Sequence, residues 1–380
     1  MREVVVVDAV RTSVGKGHPE KGAFKDVRAD DLAVTAVRAL LQRNSFDHRA
    51  VEDVIFGCAN QQDEQGINVA RFIGLLAGLP VETAGTTVDR QCGSSLQSLN
   101  FAAHAIMTGN ADVVIAGGVE HMGHVPMGKG ANPNPKLFER FPPAMMFMGQ
   151  TAEILAERRG ITREEADAFA LRSNQRATAA QLEGRFRDEM VPVPVGDGVV
   201  VDRDQGPRAD TTLEKLASLA PSFQAGGQVT AGNSSQISDG AAAVLLMARE
   251  VAAKFGLTPL AAVRATAVAG VDPEIMGIGP VPASRKALAR AGLSIADMDL
   301  AEINEAFACQ VLACAKDLGI DPQKLNVNGG AVALGHPLGC SGARITATLL
   351  HELRRRKGRY GLATMCIGFG QGIATVFERV

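Results

Sequence analysis

Thr86-Thr87-Val88-Asp89-Arg90-Gln91-Cys92-Gly93-Ser94-Ser95 reads as a strand from Thr86 to Asp89 that breaks into a tight turn. A helix follows, to about Met107, and then a buried strand from Val113 to Ala116 that stops at Gly117-Gly118. The second half of the chain repeats the theme. Leu325 to Val327 leads into a Gly-rich turn holding His336, a helix runs from about Ser341 to Arg356, and a strand from Gly361 to Ile367 ends at Gly368. In each copy a strand leads to a turn with a reactive side chain, then a helix, then an apolar strand closed by glycine. The expectation is two similar α/β halves packed face to face, with Cys92 and His336 in one shared cleft.

The remaining segments fit this frame. Val4 to Val7 reads as a buried strand, and Asp30 as the cap of a helix with apolar positions Leu32, Val34, Val37, Leu40 and Leu41. Val54-Ile55-Phe56 is a short strand and residues 66 to 77 a helix. Residues 121 to 150, with Pro126, Pro133, Pro135, Pro142 and Pro143, have no period and read as an irregular excursion. Thr162 and Glu165 form a capping box for a helix reaching about Leu182. Residues 192 to 210 are again irregular, and Ala241 to Met247 is a buried strand or helix. Later come a strand at 261–268, a helix at 283–291, a strand at Leu300–Ile303, a helix at 305–318 and a closing strand at Ile373–Phe377.

Bulk properties exclude several function classes. The 380 residues suffice for two or three core-bearing units. A formal charge of -2 offers no global positive field for nucleic acid, and the absence of Trp with a single Tyr, Tyr360, leaves few stacking platforms. No apolar run reaches the roughly 18 residues of a membrane span. The valines after Met1-Arg2-Glu3 are too short a run for a signal peptide. The six cysteines, with no C-x-x-C pair, read as thiols rather than disulfides or a zinc anchor, so a reducing cytoplasm is the expected compartment.

Taken singly, each reactive residue has two readings. Cys92 is either a small buried thiol or a nucleophile whose helix-start position favours thiolate. His336, in Gly335-His336-Pro337-Leu338-Gly339-Cys340-Ser341-Gly342, either satisfies a turn or is aimed by it. Cys366 is core, or a thiol whose neighbouring glycines admit a ligand. Asn304, in Asn304-Glu305-Ala306-Phe307, is a helix cap or a polar anchor. Gly339-Cys340-Ser341-Gly342-Ala343 imitates a nucleophile elbow without its preceding strand. Gly368-Phe369-Gly370-Gln371-Gly372 imitates a dinucleotide loop, with too little chain after it for the rest of that motif. His121 and His124 lack an evident third metal ligand.

Together the blocks exceed these single readings. Cys92-Gly93-Ser94-Ser95, Asn304-Glu305-Ala306-Phe307, Gly335-His336-Pro337 and Cys366-Ile367-Gly368-Phe369-Gly370 resemble the signature blocks of the thiolase family, in the family's order. The resemblance runs from Val5 to Phe377. The segment from Gly117 to Met127 is similar to degradative 3-ketoacyl-CoA thiolases of fatty-acid β-oxidation. This implies a duplicated α/β fold in a five-layered α-β-α-β-α arrangement. It further implies an N-terminal half at 1–250, with an inserted loop domain at about 121–231, and a C-terminal half at 251–380. It implies no metal and no cofactor, CoA being a substrate, and a homodimer or homotetramer with room for a β-oxidation partner subunit.

The resemblance also implies a chemistry. His336 takes the Cys92 proton, the sulfur attacks the 3-oxo carbon of 3-oxoacyl-CoA, and Cys366 protonates the departing carbanion to give acetyl-CoA. An incoming CoA then takes the acyl group. His336 and a water on Asn304 would stabilise the enolate oxygen, and the backbone N–H groups of Cys92 and Gly368 the tetrahedral intermediate. The stretch Thr230-Ala231-Gly232-Asn233-Ser234-Ser235 resembles the family's pantetheine-contacting segment, which assigns Ala231 and Ser235. Arg208 and Phe223 match positions near adenine and pantetheine, Met148 one beside the acyl chain, and Phe307 stands with these substrate-side residues. Phe147 stands where short-chain biosynthetic enzymes usually carry His. The alternatives are an acetoacetyl-CoA thiolase, a decarboxylating ketoacyl synthase, which intact Cys366 disfavours, and a non-catalytic lipid-binding relative.

Overall fold

Strand β1 (Val4–Thr12) is buried along all nine residues, which explains why it opens as a run of valines rather than an alternation. The computed structural model describes residues 1–380. The further principal strands of the first half are β2 (Asp53–Gly57), β3 (Ala84–Val88), β4 (Val113–His121) and β5 (Ser238–Ala248). Those of the second half are β6 (Ala261–Gly270), β7 (Leu300–Ile303), β8 (Tyr360–Ile367) and β9 (Gln371–Arg379). The principal helices are α1 (Ala29–Arg43), α2 (Val69–Ala77), α3 (Ser94–Met107), α4 (Met148–Arg159), α5 (Arg163–Leu182), α6 (Pro280–Ala291), α7 (Ala308–Leu318) and α8 (Ser341–Arg356).

The nine strands run in the order β7-β8-β9-β6-β1-β5-β4-β2-β3. The register exposes the duplication. In the first half β2 lies parallel to β4, β4 antiparallel to β5, and β5 antiparallel to β1. In the second half β7 lies parallel to β8, β8 antiparallel to β9, and β9 antiparallel to β6. Even β3 has a trace of a counterpart, a single parallel bridge from Leu325 to Ala301 beside β7. The halves join through β1 and β6, at Val5–Ala262 and Val6–Ala261.

Helices α3 and α8 pack on each other and on strands of both halves, while α1 and α2 cover the outer face of the first half's strands and α6 and α7 the outer face of the second half's. That gives five layers. The central position explains α8: every residue from Ser341 to Leu353 is buried, so it has no solvent stripe. The largest apolar cluster joins Leu96 and Leu99 of α3 to Ile345 and Leu349 of α8. No helix is long and apolar enough to cross a membrane.

Three local readings need correction. Asp30 does not cap α1; the helix starts at Ala29, and the Asp30 carboxylate sits in its first turn, holding Arg28 at 2.9 Å. The strand at Val113 does not stop at Gly117-Gly118 but continues to His121. Those glycines are packing requirements. A Cβ on Gly117 would lie 2.4 Å from the Ala242 carbonyl oxygen, and one on Gly118 2.0 Å from that of Gly339. The helix expected from 305 begins at Ala308, because Phe307 is bridged to Ser234. The capping box at Thr162 and Glu165 is formed, with both reciprocal bonds at 3.2 and 2.8 Å.

Candidate active site

Cys92 stands in the turn between β3 and α3, just ahead of the helix. The turn is held by its own polar groups: Gln91 N–H donates to Asp89 Oδ1 (2.7 Å), and Ser94 Oγ accepts from Arg90 N–H (2.9 Å) while donating to the Gln91 carbonyl (2.6 Å). Gln91 takes a left-handed conformation at φ 46°, the sparsely populated region for a side chain with a Cβ. Gly93 is needed for close approach, since a Cβ there would lie 2.6 Å from Ile367 Cδ1. Thus the Cys92 turn is pressed directly against the Cys366-Ile367-Gly368 segment.

That segment is the end of β8 and the turn into β9. Ile367 pairs with Gln371, so Gly368-Phe369-Gly370 is a three-residue hairpin loop, and Phe369 is left-handed at φ 66°. The loop brings the Gly368 N–H near enough to Cys92 to favour its thiolate form. Arg90 fastens the two turns, donating from Nη1 to Gln371 Oε1 at 2.9 Å. Cys366 itself is buried beside Ala306, Phe307 and Cys309.

His336 is 5 % exposed and hangs from a turn built at Gly335, whose φ of 112° requires glycine. Ser341 Oγ has one hydrogen, which it gives to the Pro337 carbonyl at 2.8 Å. At its 2.6 Å contact with His336 Nδ1 the hydroxyl therefore accepts, and the ring carries its proton on Nδ1. Nε2 then keeps an unprotonated lone pair. Asn304 closes the ring's other side: its Nδ2 lies 3.4 Å from Nδ1 and 3.3 Å from Nε2, between the two nitrogens. Asn304 is placed by its backbone N–H, which continues the β7–β8 ladder to the Thr364 carbonyl at 3.0 Å.

Burial sets the charge states. It pushes the Cys92 thiol up to about 11, although the Gly368 and Cys92 N–H groups pull the other way. The thiolate expected from the helix start is therefore outweighed by desolvation. Burial, and then the Arg344 charge, lower His336 to about 3, and burial together with the Cys92 charge holds Cys366 well above the ordinary thiol range. At neutral pH all three groups are uncharged.

The residues expected on the substrate side fall into two groups. Arg208 and Ala231 line one cleft of about 150 Å³ with Lys215, Leu219 and Val332. Phe307 and Met148 pack in the cluster that holds Cys366, with Phe223 and Ser235 joined to them through Phe307 and Ala306. Met148 Sδ lies 3.3 Å from the Cβ position of Gly368, and Phe223 meets Phe307 edge to face with centroids 6.3 Å apart. Ser235 N–H donates to the Ala306 carbonyl (3.0 Å) and Ala308 N–H to Asn233 (2.9 Å), which ties the 230–235 segment to the Asn304 block.

Several supporting residues escaped the sequence reading. Ser341 was weighed only as a false nucleophile. Glu120, wholly buried, accepts from the backbone N–H groups of Ala59 (2.9 Å), Asn60 (3.0 Å) and Gly339 (2.7 Å), clamping the His336 turn to β4. A lone acid in an apolar strand was the available signal. His121 and His124 stack at 3.8 Å, and their ring nitrogens face the Phe24 and Lys25 carbonyls, Asp239 and Glu64.

Comparison with known proteins adds to this geometry. Residues 4–250 match the family described as Thiolase, N-terminal domain, and residues 257–379 match Thiolase, C-terminal domain. The chain is 53 % identical to the 3-ketoacyl-CoA thiolase of Marinomonas sp. (strain MWYL1), over 100 % of this chain and 98 % of the relative. It is likewise 53 % identical to the 3-ketoacyl-CoA thiolase of Vibrio vulnificus (strain YJ016), over the whole of both. Among solved structures, human mitochondrial 3-ketoacyl-CoA thiolase in complex with CoA is similar with a TM-score of 0.92 and 44 % identity, covering 100 % of this chain and 98 % of that one. The Bacillus anthracis acetyl-CoA acetyltransferase gives the same score and identity, covering 100 % and 99 %.

Proposed function

The chain belongs to the thiolase family, and from that premise we propose that it catalyses CoA-dependent thiolytic cleavage of 3-oxoacyl-CoA to acetyl-CoA and a shortened acyl-CoA. The observation that carries the reading is the packing of the Cys92 turn against Cys366-Ile367-Gly368, where a Cβ on Gly93 would lie 2.6 Å from Ile367 Cδ1, together with His336 held in the tautomer that leaves the Nε2 lone pair unprotonated.

The geometry supports the following sequence. The 3-oxo carbon settles against Cys92 Sγ. His336 Nε2 removes the thiol proton as the C–S bond forms. The free enzyme holds a neutral thiol and a neutral imidazole, so proton transfer accompanies attack rather than preceding it. The N–H groups of Cys92 and Gly368 meet the developing oxyanion. The C2–C3 bond then breaks, leaving an acyl group on Cys92 and an enolate of acetyl-CoA. Protonated His336 and a water on Asn304 Nδ2 face the enolate oxygen, and the Cys366 thiol gives its proton to C2. An incoming CoA thiol loses its proton to Cys366, attacks the acyl-cysteine, and leaves as the shortened acyl-CoA, with His336 returning its proton to Cys92. Arg208, Phe223, Ala231 and Ser235 hold the CoA arm, with Met148 and Phe307 on the acyl side. In this reading residues 1–250 supply Cys92 and the loop domain, and residues 251–380 supply Asn304, His336, Cys366 and Gly368. The working form is a homo-oligomer in the cytoplasm that acts in fatty-acid β-oxidation.

Intact-protein mass spectrometry tests the core of this. One acetyl adduct is expected after mixing with acetyl-CoA, and none in Cys92→Ala. An adduct that persists in that variant would overturn the assignment.

A further inference from the structure

Arg344 lies three residues after Ser341 on α8 and is fully buried. A buried guanidinium is costly unless its N–H groups and charge are met. Here Nε and Nη1 have no hydrogen-bond partner, and Nη2 faces Asn304 Oδ1 at 3.4 Å. Glu302, also buried and two residues before Asn304, is the acid whose charge Arg344 feels most. An arginine placed this way contributes less to stability than its burial costs, which points to another use.

That use lies in the Asn304 amide. The amide is bracketed: Oδ1 toward the guanidinium, Nδ2 toward the His336 ring. Turned over, it would set an NH₂ group against a cation with only donors. That contact is repulsive, and the dry surroundings strengthen the repulsion. We propose that Arg344 is a positioning residue: from behind Asn304 it holds the amide carbonyl, so that an N–H donor and not an oxygen faces His336 and the reacting centre.

The inference rests on the thiolase reading and makes a selective prediction within it. Asn304 serves the enolate oxygen, whereas acyl transfer to and from Cys92 relies on the Cys92 and Gly368 N–H groups. Loss of Arg344 should harm only chemistry that passes through the enolate. Two reactions of acetyl-CoA separate these: solvent deuterium exchange at its methyl carbon, and exchange of its CoA with labelled CoA. Arg344→Met is expected to lose about 10- to 100-fold in deuterium exchange, up to the effect of deleting one oxyanion donor, while CoA exchange stays within about twofold. Arg344→Lys, which restores a charged donor, should recover most of the loss. If Arg344→Met does not fold, Arg344→Gln takes its place with the same expected split. Equal losses in both reactions, or undiminished deuterium exchange, overturn the positioning role. A wild-type protein that performs neither reaction defeats the thiolase reading, and this inference with it.

Discussion

Cys92 and His336 are each recognisable from neighbouring residues, but their charge states are not. With the thiol at about 11 and the imidazole at about 3, a proton stays on sulfur across the physiological range. The sign follows directly. Alkylation needs thiolate, whose fraction grows tenfold per pH unit below the thiol's pKa, so iodoacetamide inactivation of the free enzyme should keep accelerating from pH 6 to 9. A plateau at or below pH 7 would mean a preformed ion pair. Ser341 sets the other half of the pair. Ser341→Ala removes the acceptor of the Nδ1 proton, releasing the ring to rotate or change tautomer. The expected result is about a 10- to 100-fold lower kcat with KM little changed, in line with the loss of partners that orient catalytic histidines. An unaltered kcat would show that the turn alone aims the ring. The sequence signal for Ser341 is its nearness to His336, but that its hydroxyl also meets the Pro337 carbonyl, which can only accept, is set by the folded turn.

At the level of elements, the glycines of β4 show why strand boundaries were misread. Gly117-Gly118 resembles a strand end because glycine weakens strands, and local propensity carries no knowledge of a carbonyl 2.0 Å from the missing Cβ. Gly118→Ala should push the Gly339 turn away from β4 and stretch the 2.7 Å bond from Gly339 N–H to Glu120. Overpacking of this kind costs about 1–3 kcal/mol. A lowered melting temperature and a lowered kcat are expected together, since the turn carries His336. The contrast is Thr162→Ala, which breaks the α5 capping box at a cost of about 1 kcal/mol and should lower stability while leaving kcat alone. If Gly118→Ala melted earlier but turned over normally, the proposed link between β4 and the histidine would be wrong. The capping box was readable in full because all its partners lie within four residues.

For the molecule as a whole, the open question is which substrates the cleft prefers. Phe147 is 58 % exposed, next to Met148, whose Sδ would lie 3.3 Å from a Cβ on Gly368. Under the proposed function, an apolar side chain beside the acyl-side Met148 favours an acyl chain that continues past it. Each buried methylene contributes about 0.8 kcal/mol, so a few of them raise kcat/KM tenfold or more. Thiolysis of 3-oxo substrates from four to sixteen carbons is expected to improve beyond four carbons. A steep fall there would favour an acetoacetyl-CoA enzyme.

Read by itself, the sequence determined the duplicated α/β plan, the order of the elements, and the four blocks that hold Cys92, Asn304, His336 and Cys366. The plan and the order follow from the repeat along the chain, and the four blocks from their joint resemblance to the thiolase family, since each block taken singly has two readings. The tertiary structure decided what the blocks do to one another. Arg90 reaches Gln371, Glu120 reaches Gly339, and Arg344 reaches Asn304, joining residues as much as 281 positions apart. It also decided that Cys92 is a neutral thiol, because a pKa depends on the dielectric and charges around a group. Those surroundings exist only once α3 and α8 have closed between the two halves of the sheet.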